Sequence, residues 1–228
     1  MIKAVLFDLD DTLYDTTLQV KLARENAVKA MVDAGLDADV EEAEKALEKV
    51  VVEKGPNYQR HYDDMLSALG ARYDPKIVAA GIVAYHEAKT AYLVPYQDTV
   101  KTLLELRGRG LLLGVVTDGV QVKQWEKLIR LGLMDFFHTV VIASESDEQK
   151  PSPTSYMKAA SNLGLKPVEC MVVGDRADKD ILGGRKAGMK TVQIVSRRQS
   201  KPPSNPDEEP DYIITRLNDL LRIIGGAE

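Results

Sequence analysis

Short apolar runs rich in β-forming residues occur once at the start of the chain and five times after residue 110, and this uneven spacing most limits the possible fold. The runs cover residues 2–7, 111–116, 139–143, 170–173, 191–195 and 212–214. Apolar runs of this length, bounded by turn residues, are typical of strands that are buried on both faces. The sequence therefore predicts six strands, with a long intervening segment after the first.

Amphipathic segments of helical period separate the later runs. They cover residues 122–131, 153–163, 178–187 and 217–224. From about residue 95 onward, strand and helix therefore alternate. Such alternation predicts a parallel sheet with helices on both faces. We expect an α/β fold built on a Rossmann-like parallel sheet.

The segment between the first two predicted strands breaks this alternation. It contains four helical stretches, separated by glycines, at residues 18–34, 39–52, 58–69 and 75–92. The simplest architecture is an α/β core domain, residues 1–15 and 94–228, with an inserted all-helical cap domain, residues 16–93. Residues 196–210 contain four prolines and many charges, which predicts an exposed loop before the last strand.

Composition narrows the class of protein. A chain of 228 residues, 44% hydrophobic, can bury a sizeable core, and a net charge of -5 argues against a general nucleic-acid binder. The single cysteine, Cys170, permits no internal disulfide and suits a reducing compartment. No apolar stretch approaches the ~20 residues of a membrane span, and the acidic Asp8 does not fit a secretory signal. We expect a cytoplasmic protein without nucleic-acid or membrane partners, and leave monomer or dimer open.

Polar segments follow four of the predicted strands, at the edge where open parallel sheets bind ligands. They are residues 8–12, 117–119, 150–151 and 174–180, the third a few residues past its strand. Asp8, Asp10, Asp175 and Asp180 would then share one crevice with Lys150. Carboxylates crowded in this way raise one another's pKa and oppose folding, and a divalent cation removes that conflict. All-oxygen ligands suit magnesium, so the cluster predicts Mg²⁺ and an anionic substrate that needs it.

The two-residue spacing of Asp8 and Asp10 at a strand end allows both carboxylates to face the same side. One can act as a nucleophile while the other transfers protons. Covalent catalysis through a carboxylate needs both of these functions.

The ordered set Asp-x-Asp-x-Thr, strand-terminal Thr, Lys-Pro and Gly-Asp-x-x-x-x-Asp resembles that of the haloacid dehalogenase-like hydrolases. The helical insert resembles their type-one cap, and the match runs in order through nearly the whole chain. Each motif alone is weak, but four in order at strand ends are specific. Residues 57–62 and 85–89 of the insert are similar to an archaeal and eukaryotic branch related to N-acylneuraminate-9-phosphatase.

The resemblance implies a Mg²⁺-dependent phosphatase acting on a small phosphorylated metabolite. Asp8 would attack phosphorus and form an aspartyl-phosphate. Asp10 would protonate the leaving alcohol and then deprotonate the water that hydrolyses the intermediate. Thr117 and the backbone N–H of Asp118 would hold phosphate oxygens, in the substrate-binding segment that ends with Gly119.

The resemblance also implies how charge is balanced. Lys150 would neutralise the nucleophile and the phosphoryl group, which is what phosphoryl transfer chiefly needs. Mg²⁺ would be bound by Asp8, the carbonyl of Asp10 and Asp175. Asp180 would either support the metal site or orient Lys150.

Other interpretations of the same residues stay open. A haloacid dehalogenase of this fold needs no metal and generally lacks an acid at the position of Asp10, whereas a phosphosugar mutase shares that acid. A non-catalytic binding protein is a third alternative. Asp180 could also be a first-turn helix acid, with Asp178 as the competing carboxylate, and Lys150 a solvated surface lysine.

Overall fold

The computed structural model describes residues 1–143, 149–195 and 200–225. Over these residues six strands form one sheet with the order β3-β2-β1-β4-β5-β6, and every neighbouring pair is parallel. The strands are β1 Ala4–Phe7, β2 Leu112–Asp118, β3 Thr139–Ala143, β4 Cys170–Gly174, β5 Lys190–Ile194 and β6 Tyr212–Ile214. The predictions of an α/β fold and of a Rossmann-like parallel sheet are confirmed.

Strand β1 lies at the centre of the sheet, between β2 and β4, and its side chains are fully buried. Val5 and Phe7 pack with residues of the helices on one face, while Ala4 and Leu6 pack on the other, as the period of two requires. Strand order runs outward from β1 in both directions. The carboxyl end of β1 is therefore a topological switch point, where sheets of this type open a crevice for ligands.

Nine α-helices accompany the sheet within the described ranges. They are α1 Thr16–Asp33, α2 Val40–Lys54, α3 His61–Ala68, α4 Pro75–Ala91, α5 Thr99–Gly108, α6 Gln121–Arg130, α7 Thr154–Asn162, α8 Leu182–Lys186 and α9 Leu220–Gly225. A π-helical turn, Ala177–Ile181, precedes α8 and a 3₁₀ turn, Leu217–Asp219, precedes α9. None of these helices combines the length and the hydropathy that crossing a membrane requires.

Helix α5 is not among the helices predicted from the sequence. Its buried face consists of Thr99, Thr102, Leu103 and Leu106. Two of these four residues are threonines, so the apolar periodicity that marks a helix is weak. Thr99 instead donates its hydroxyl to the Leu13 carbonyl at 2.9 Å, which anchors the helix without an apolar side chain.

The chain forms two compact units. The core unit, Met1–Thr17 with Leu93–Glu228, contains the sheet and α5–α9. The helical unit, Leu18–Tyr92, contains most of α1 together with α2–α4. Met31, Met65 and Leu66 are buried at the centre of the helical unit, so each unit has the hydrophobic core expected of a domain.

The predicted loop at 196–210 is only partly described, since residues 196–199 lie outside the described residues. Residues 201–210 are mostly exposed, as expected, but Glu208 is buried. Its carboxylate accepts hydrogen bonds from the backbone and hydroxyl of Ser204, both at 2.8 Å, and from the Asn205 amide at 2.7 Å. The buried Glu208 carboxylate therefore holds residues 204–208 together through hydrogen bonds.

Candidate active site

The loop after β1 places Asp8 directly beside β4, because its backbone N–H donates to the Val173 carbonyl at 2.9 Å. The side chain is buried, and its Oδ1 accepts from the Lys150 ammonium at 2.5 Å. Its Oδ2 accepts from the Thr12 hydroxyl at 3.2 Å. Lys150 also donates to Asp180 Oδ1 at 2.7 Å. One ammonium group thus bridges two carboxylates that come from different strand ends.

Lys150 is 7% exposed, so the alternative of a solvated surface lysine is wrong. Burial disfavours its charged form, but the carboxylates of Asp180 and Asp8 raise the pKa of Lys150 well above its ordinary value. The ammonium therefore stays charged at neutral pH. A fixed buried cation beside a carboxylate is the arrangement that stabilises developing negative charge.

Three carboxylates, those of Asp8, Asp175 and Asp180, have oxygens that all lie within 4.8 Å of one another. Burial raises the pKa of Asp8 to about 7 despite the opposing charge of Lys150. Burial also raises the pKa of Asp175 to about 8, and the charges of Asp8 and Asp180 add to this effect. Asp8 and Asp175 therefore resist being ionised together, which is the conflict that a bound cation relieves.

The donor set fits a magnesium ion. Among the described residues, the buried Oδ2 of Asp175 has no hydrogen-bond partner. An unpaired buried carboxylate oxygen is costly in a folded protein, and metal coordination removes that cost. Since the nearby donors are all oxygens, the group suits Mg²⁺ rather than a softer metal.

Asp180 is 1% exposed and both its oxygens are engaged. Oδ1 accepts from Lys150 and, at 3.4 Å, from the Tyr156 hydroxyl, while Oδ2 accepts from the Arg176 backbone at 3.0 Å. These contacts fit the orientation of Lys150, one of its two predicted roles. Asp180 is also a first-turn acid of the π-helical turn, as the alternative interpretation expected, but it is buried. The competing Asp178 pairs instead with the guanidinium of Arg176 at 2.8 and 2.5 Å.

The segment predicted to bind phosphate lies at the end of β2, close to this cluster. Thr117 is buried, and the Oδ1 of Asp118 accepts from the Lys150 backbone at 3.0 Å. Gly119 has φ of 129°, a conformation that favours glycine, and donates its N–H to Ala143 at 2.9 Å. The structure thus brings the residues at 117–119 beside Lys150.

Asp10 has partners that the sequence analysis missed. Its Oδ1 accepts from the Tyr14 hydroxyl at 2.5 Å and the Thr16 hydroxyl at 2.6 Å. Lys127 of α6 donates to both oxygens, at 2.6 and 2.7 Å, and the Gln124 amide lies 3.1 Å from Oδ2. The spacing of Gln124 and Lys127, three apart on a predicted helix that follows Thr117, places them on one face, but it does not show which face meets Asp10.

These contacts decide the protonation of Asp10. Burial disfavours the carboxylate, but the charge and hydrogen bonds of Lys127, with those of Thr16 and Tyr14, lower the pKa of Asp10 to about 2. Asp10 is therefore ionised at neutral pH. Its side chain lies outside the group of three carboxylates, and its predicted metal contact involves only the main-chain carbonyl.

Asp11, between the site and α1, was also not predicted to have a role. Its φ of 58° is left-handed, which is uncommon for a residue with a side chain. Its carboxylate accepts from the backbone N–H of Thr17 at 2.9 Å and from the Thr17 hydroxyl at 2.7 Å. The loop after β1 is thereby fastened to the start of the first helix.

Two histidines of the helical unit lie in different surroundings. His61 contacts the Gly55 carbonyl at 2.9 Å and packs edge-on against Tyr58, which is a structural arrangement. His86 packs against Tyr85, and the Lys89 ammonium lies 5.8 Å from the centroid of the Tyr85 ring.

The family model of the haloacid dehalogenase-like hydrolases matches residues 2–188. The chain belongs to this family. Glyceraldehyde 3-phosphate phosphatase of Methanopyrus kandleri is 51% identical over 227 residues, covering 98% of this chain and 97% of the relative. The enzyme of the same name from Methanocaldococcus jannaschii is 47% identical over 224 residues, with 98% and 97% covered. The prediction of a hydrolase of this family is confirmed.

More distant matches agree in fold and family. The crystal structure of a HAD phosphatase from Thermococcus onnurineus superposes with a TM-score of 0.68 at 26% identity, covering 99% of both chains. Human N-acylneuraminate-9-phosphatase is 27% identical over 237 residues, covering 98% of this chain and 94% of the relative. The resemblance to that phosphatase, first based on two short segments, therefore extends over nearly the whole chain.

Proposed function

We propose that this hydrolase is a Mg²⁺-dependent phosphatase that cleaves a small phosphate monoester through an aspartyl-phosphate on Asp8. One group of contacts supports the proposal most directly. The buried Lys150 ammonium bridges Asp8 and Asp180 beside the unpartnered oxygen of Asp175. This arrangement provides a nucleophile, a fixed positive charge and a place for a cation within one group of side chains.

In the first step, an oxygen of Asp8 attacks phosphorus and the bond from phosphorus to the alcohol oxygen breaks. Asp10 donates the proton that the departing alkoxide takes up. In the second step, Asp10 removes a proton from water, the water oxygen attacks the aspartyl-phosphate, and inorganic phosphate leaves. Asp8 is regenerated, so one monoester and one water give one alcohol and one phosphate.

The ionised state of Asp10 fits the second step directly. For the first step Asp10 must hold a proton, and the negative charge of an arriving phosphate raises its pKa in that direction. Lys150 neutralises charge as the phosphoryl group moves to Asp8. Thr117 and the backbone N–H of Asp118 hold the phosphoryl oxygens in place.

The magnesium ion would be held by the carboxylates of Asp8 and Asp175 and by the carbonyl of Asp10, with Asp180 in support through Lys150. When bound, it supplies positive charge that offsets the repulsion between the phosphate and the carboxylates. The chemistry of the donor set supports this assignment.

The substrate we propose is glyceraldehyde 3-phosphate, which the names of the relatives with 51% and 47% identity specify. These relatives match nearly the full chain, including the helical unit. We propose that residues 16–93 act as a type-one cap that selects the substrate, with residues 1–15 and 94–228 as the catalytic core.

Phosphate release from glyceraldehyde 3-phosphate, with Mg²⁺ or with chelator, tests the proposal. We expect release with Mg²⁺ and none with chelator, and Asp8→Asn should abolish it because an amide is not a nucleophile here. Full activity of Asp8→Asn would contradict the mechanism. Halide release from a short 2-haloacid in chelator, without phosphate release, would instead support the dehalogenase alternative.

A further inference from the structure

Lys127 of helix α6 forms an ion pair with the carboxylate of Asp10. The Lys127 ammonium lies 2.6 Å from Oδ1 and 2.7 Å from Oδ2, so it contacts both oxygens at once. Its side chain is 19% exposed, in contrast with the Arg130 side chain, 48% exposed, which pairs with Glu126 on the same helix. Lys127 is therefore held in a largely enclosed pair, whereas Arg130 forms an ordinary surface pair.

Gln124, one turn earlier on α6, links Asp10 to the segment at 117–119. Its amide nitrogen lies 3.1 Å from Asp10 Oδ2, 3.3 Å from the Thr117 hydroxyl and 2.6 Å from the Asp118 carbonyl. Gln124 is 4% exposed, and among the described residues its buried Oε1 has no hydrogen-bond partner. Leaving an acceptor unsatisfied costs stability, so the orientation of this amide is set by what its nitrogen contacts.

Gly119 leaves the space that the amide of Gln124 occupies. A side chain at Gly119 would place its Cβ 3.1 Å from the Gln124 amide nitrogen, tighter than normal packing allows. Glycine at this position thus serves both the turn and the approach of the amide. The contacts of Gln124 and Lys127 join the loop after β1 to residues more than a hundred positions away in sequence.

We propose that Gln124 and Lys127 are positioning residues, which hold the Asp10 carboxylate at a fixed place relative to Thr117. This inference rests on the proposed function, in which Asp10 transfers protons and Thr117 binds phosphate. Neither residue gains or loses a proton in the reaction. Lys127 also lowers the pKa of Asp10, but the contribution proposed for both residues is geometric, because a proton-transfer group must lie within hydrogen-bond reach of the atom that it serves.

The test uses two substrates that differ in their need for an acid. An alkyl phosphate such as glyceraldehyde 3-phosphate has a poor leaving group that must be protonated, whereas p-nitrophenyl phosphate releases a stable phenolate. The ratio kcat/KM covers binding and the steps up to release of the alcohol or phenolate, so it excludes the later hydrolysis, and comparing the two substrates reports on the acid. The burst of p-nitrophenolate followed by steady-state turnover separates the later hydrolysis of the intermediate.

For Lys127→Met we expect kcat/KM to fall about 100-fold or more on the alkyl phosphate and less than about 10-fold on p-nitrophenyl phosphate, as loss of acid catalysis requires. Lys127→Arg should restore most of the alkyl activity, because it keeps a cation able to contact both oxygens. Gln124→Met, a second variant in case the first does not fold, should show the same selective loss. Arg130→Met, which removes the exposed pair of the same helix, should leave both values unchanged.

Equal losses on the two substrates for folded Lys127→Met and Gln124→Met, or no loss on the alkyl phosphate, would overturn the positioning role. Those outcomes occur with an active wild-type enzyme. Failure of the proposed function looks different, since the wild-type protein itself would then release no phosphate from either substrate, and the inference would fail with it.

Discussion

The buried side chain of Asp180 packs directly against the backbone of Gly174, with no space between them for a Cβ atom. An added Cβ at Gly174 would overlap the carboxyl group of Asp180. Gly174 ends β4, and Asp180 lies in the π-helical turn that follows. The glycine of this motif is therefore required by the position of the Asp180 carboxylate, which accepts from Lys150.

For Gly174→Ala we expect a loss of about 1–3 kcal/mol in the free energy of unfolding, the usual cost of overpacking a well-packed site. Asp180 must move, so its bond to Lys150 lengthens and phosphatase activity should fall at least about tenfold. Urea denaturation and phosphate release measure the two effects. Gly108→Ala is the matched control, because nothing lies within 4 Å of its added Cβ. Equal behaviour of the two variants would contradict the packing argument.

Asp175→Asn should change the pH dependence of stability in chelator. Below about pH 4 the wild-type carboxyl is protonated in both the folded and the unfolded protein. Between that pH and the raised pKa of Asp175, about 8, the folded protein keeps a proton that the unfolded chain has lost, so wild-type stability falls as pH rises. The amide does not titrate.

The stability of Asp175→Asn relative to wild type should therefore increase from pH 4 to pH 8 and then level off. Urea denaturation of both proteins at several pH values, without metal, measures this difference. A constant difference across the range would show that folding does not raise the pKa of Asp175 in the metal-free protein. With Mg²⁺ present, the sign should reverse at pH 8, because only the wild-type protein binds the ion well.

Lys150→Met should cost both stability and activity. It leaves the buried carboxylates of Asp8 and Asp180 without their shared cation, and breaking a buried pair in this way costs about 3–5 kcal/mol. Thermal unfolding should show a lower Tm, with a smaller loss at pH 5 than at pH 8, because burial already raises the pKa of Asp8 to about 7. Lys179→Met serves as the control. The Lys179 side chain is 41% exposed, and its ammonium lies 3.7 Å from the Asp118 carboxylate. A Tm change as large in the control would contradict the importance of burial.

Asp11 offers a test of the loop after β1. Asp11→Asn should be milder than Asp11→Ala, because asparagine tolerates the left-handed backbone and keeps an acceptor for Thr17. We expect Asp11→Ala to lose about 1–2 kcal/mol of unfolding free energy from backbone strain and lost hydrogen bonds. Thr17→Val, which removes only the hydroxyl contact, should lose less. Equal effects of the two Asp11 variants would rule out a contribution from the backbone conformation.

The fold could be predicted from the sequence because its central strands β1 and β4 are buried on both faces. A continuous apolar run such as Ala4–Phe7 leaves few other structures open, and the carboxyl ends of parallel strands must meet at one edge. The meeting of Asp8, Lys150 and Asp175 follows from that topology. Helix α5 was missed because Thr99 and Thr102 fill its buried face with polar residues that the apolar periodicity does not detect.

The partners of Asp10 could not be ranked from sequence for a different reason. Helix α6 contains Lys123, Lys127 and Arg130, three side chains that all carry a positive charge. Only the rotation of the helix about its axis decides which of them faces Asp10. The same limit applies to Asp180, whose two predicted roles differ only in the direction of its carboxylate.

The register of the sheet sets the spacing of the whole reaction centre. Phe7 pairs with Val115 of β2 on one side and with Val173 of β4 on the other, so the pairing fixes where Asp8 leaves the sheet relative to both neighbouring strands. A slip of one residue would displace a strand by about 3.3 Å and turn its side chains to the opposite face. The positions of the site residues along the strands can therefore change only in steps of a whole residue. Substitutions elsewhere in the core should lower the free energy of unfolding well before they change the distances between the residues of the site.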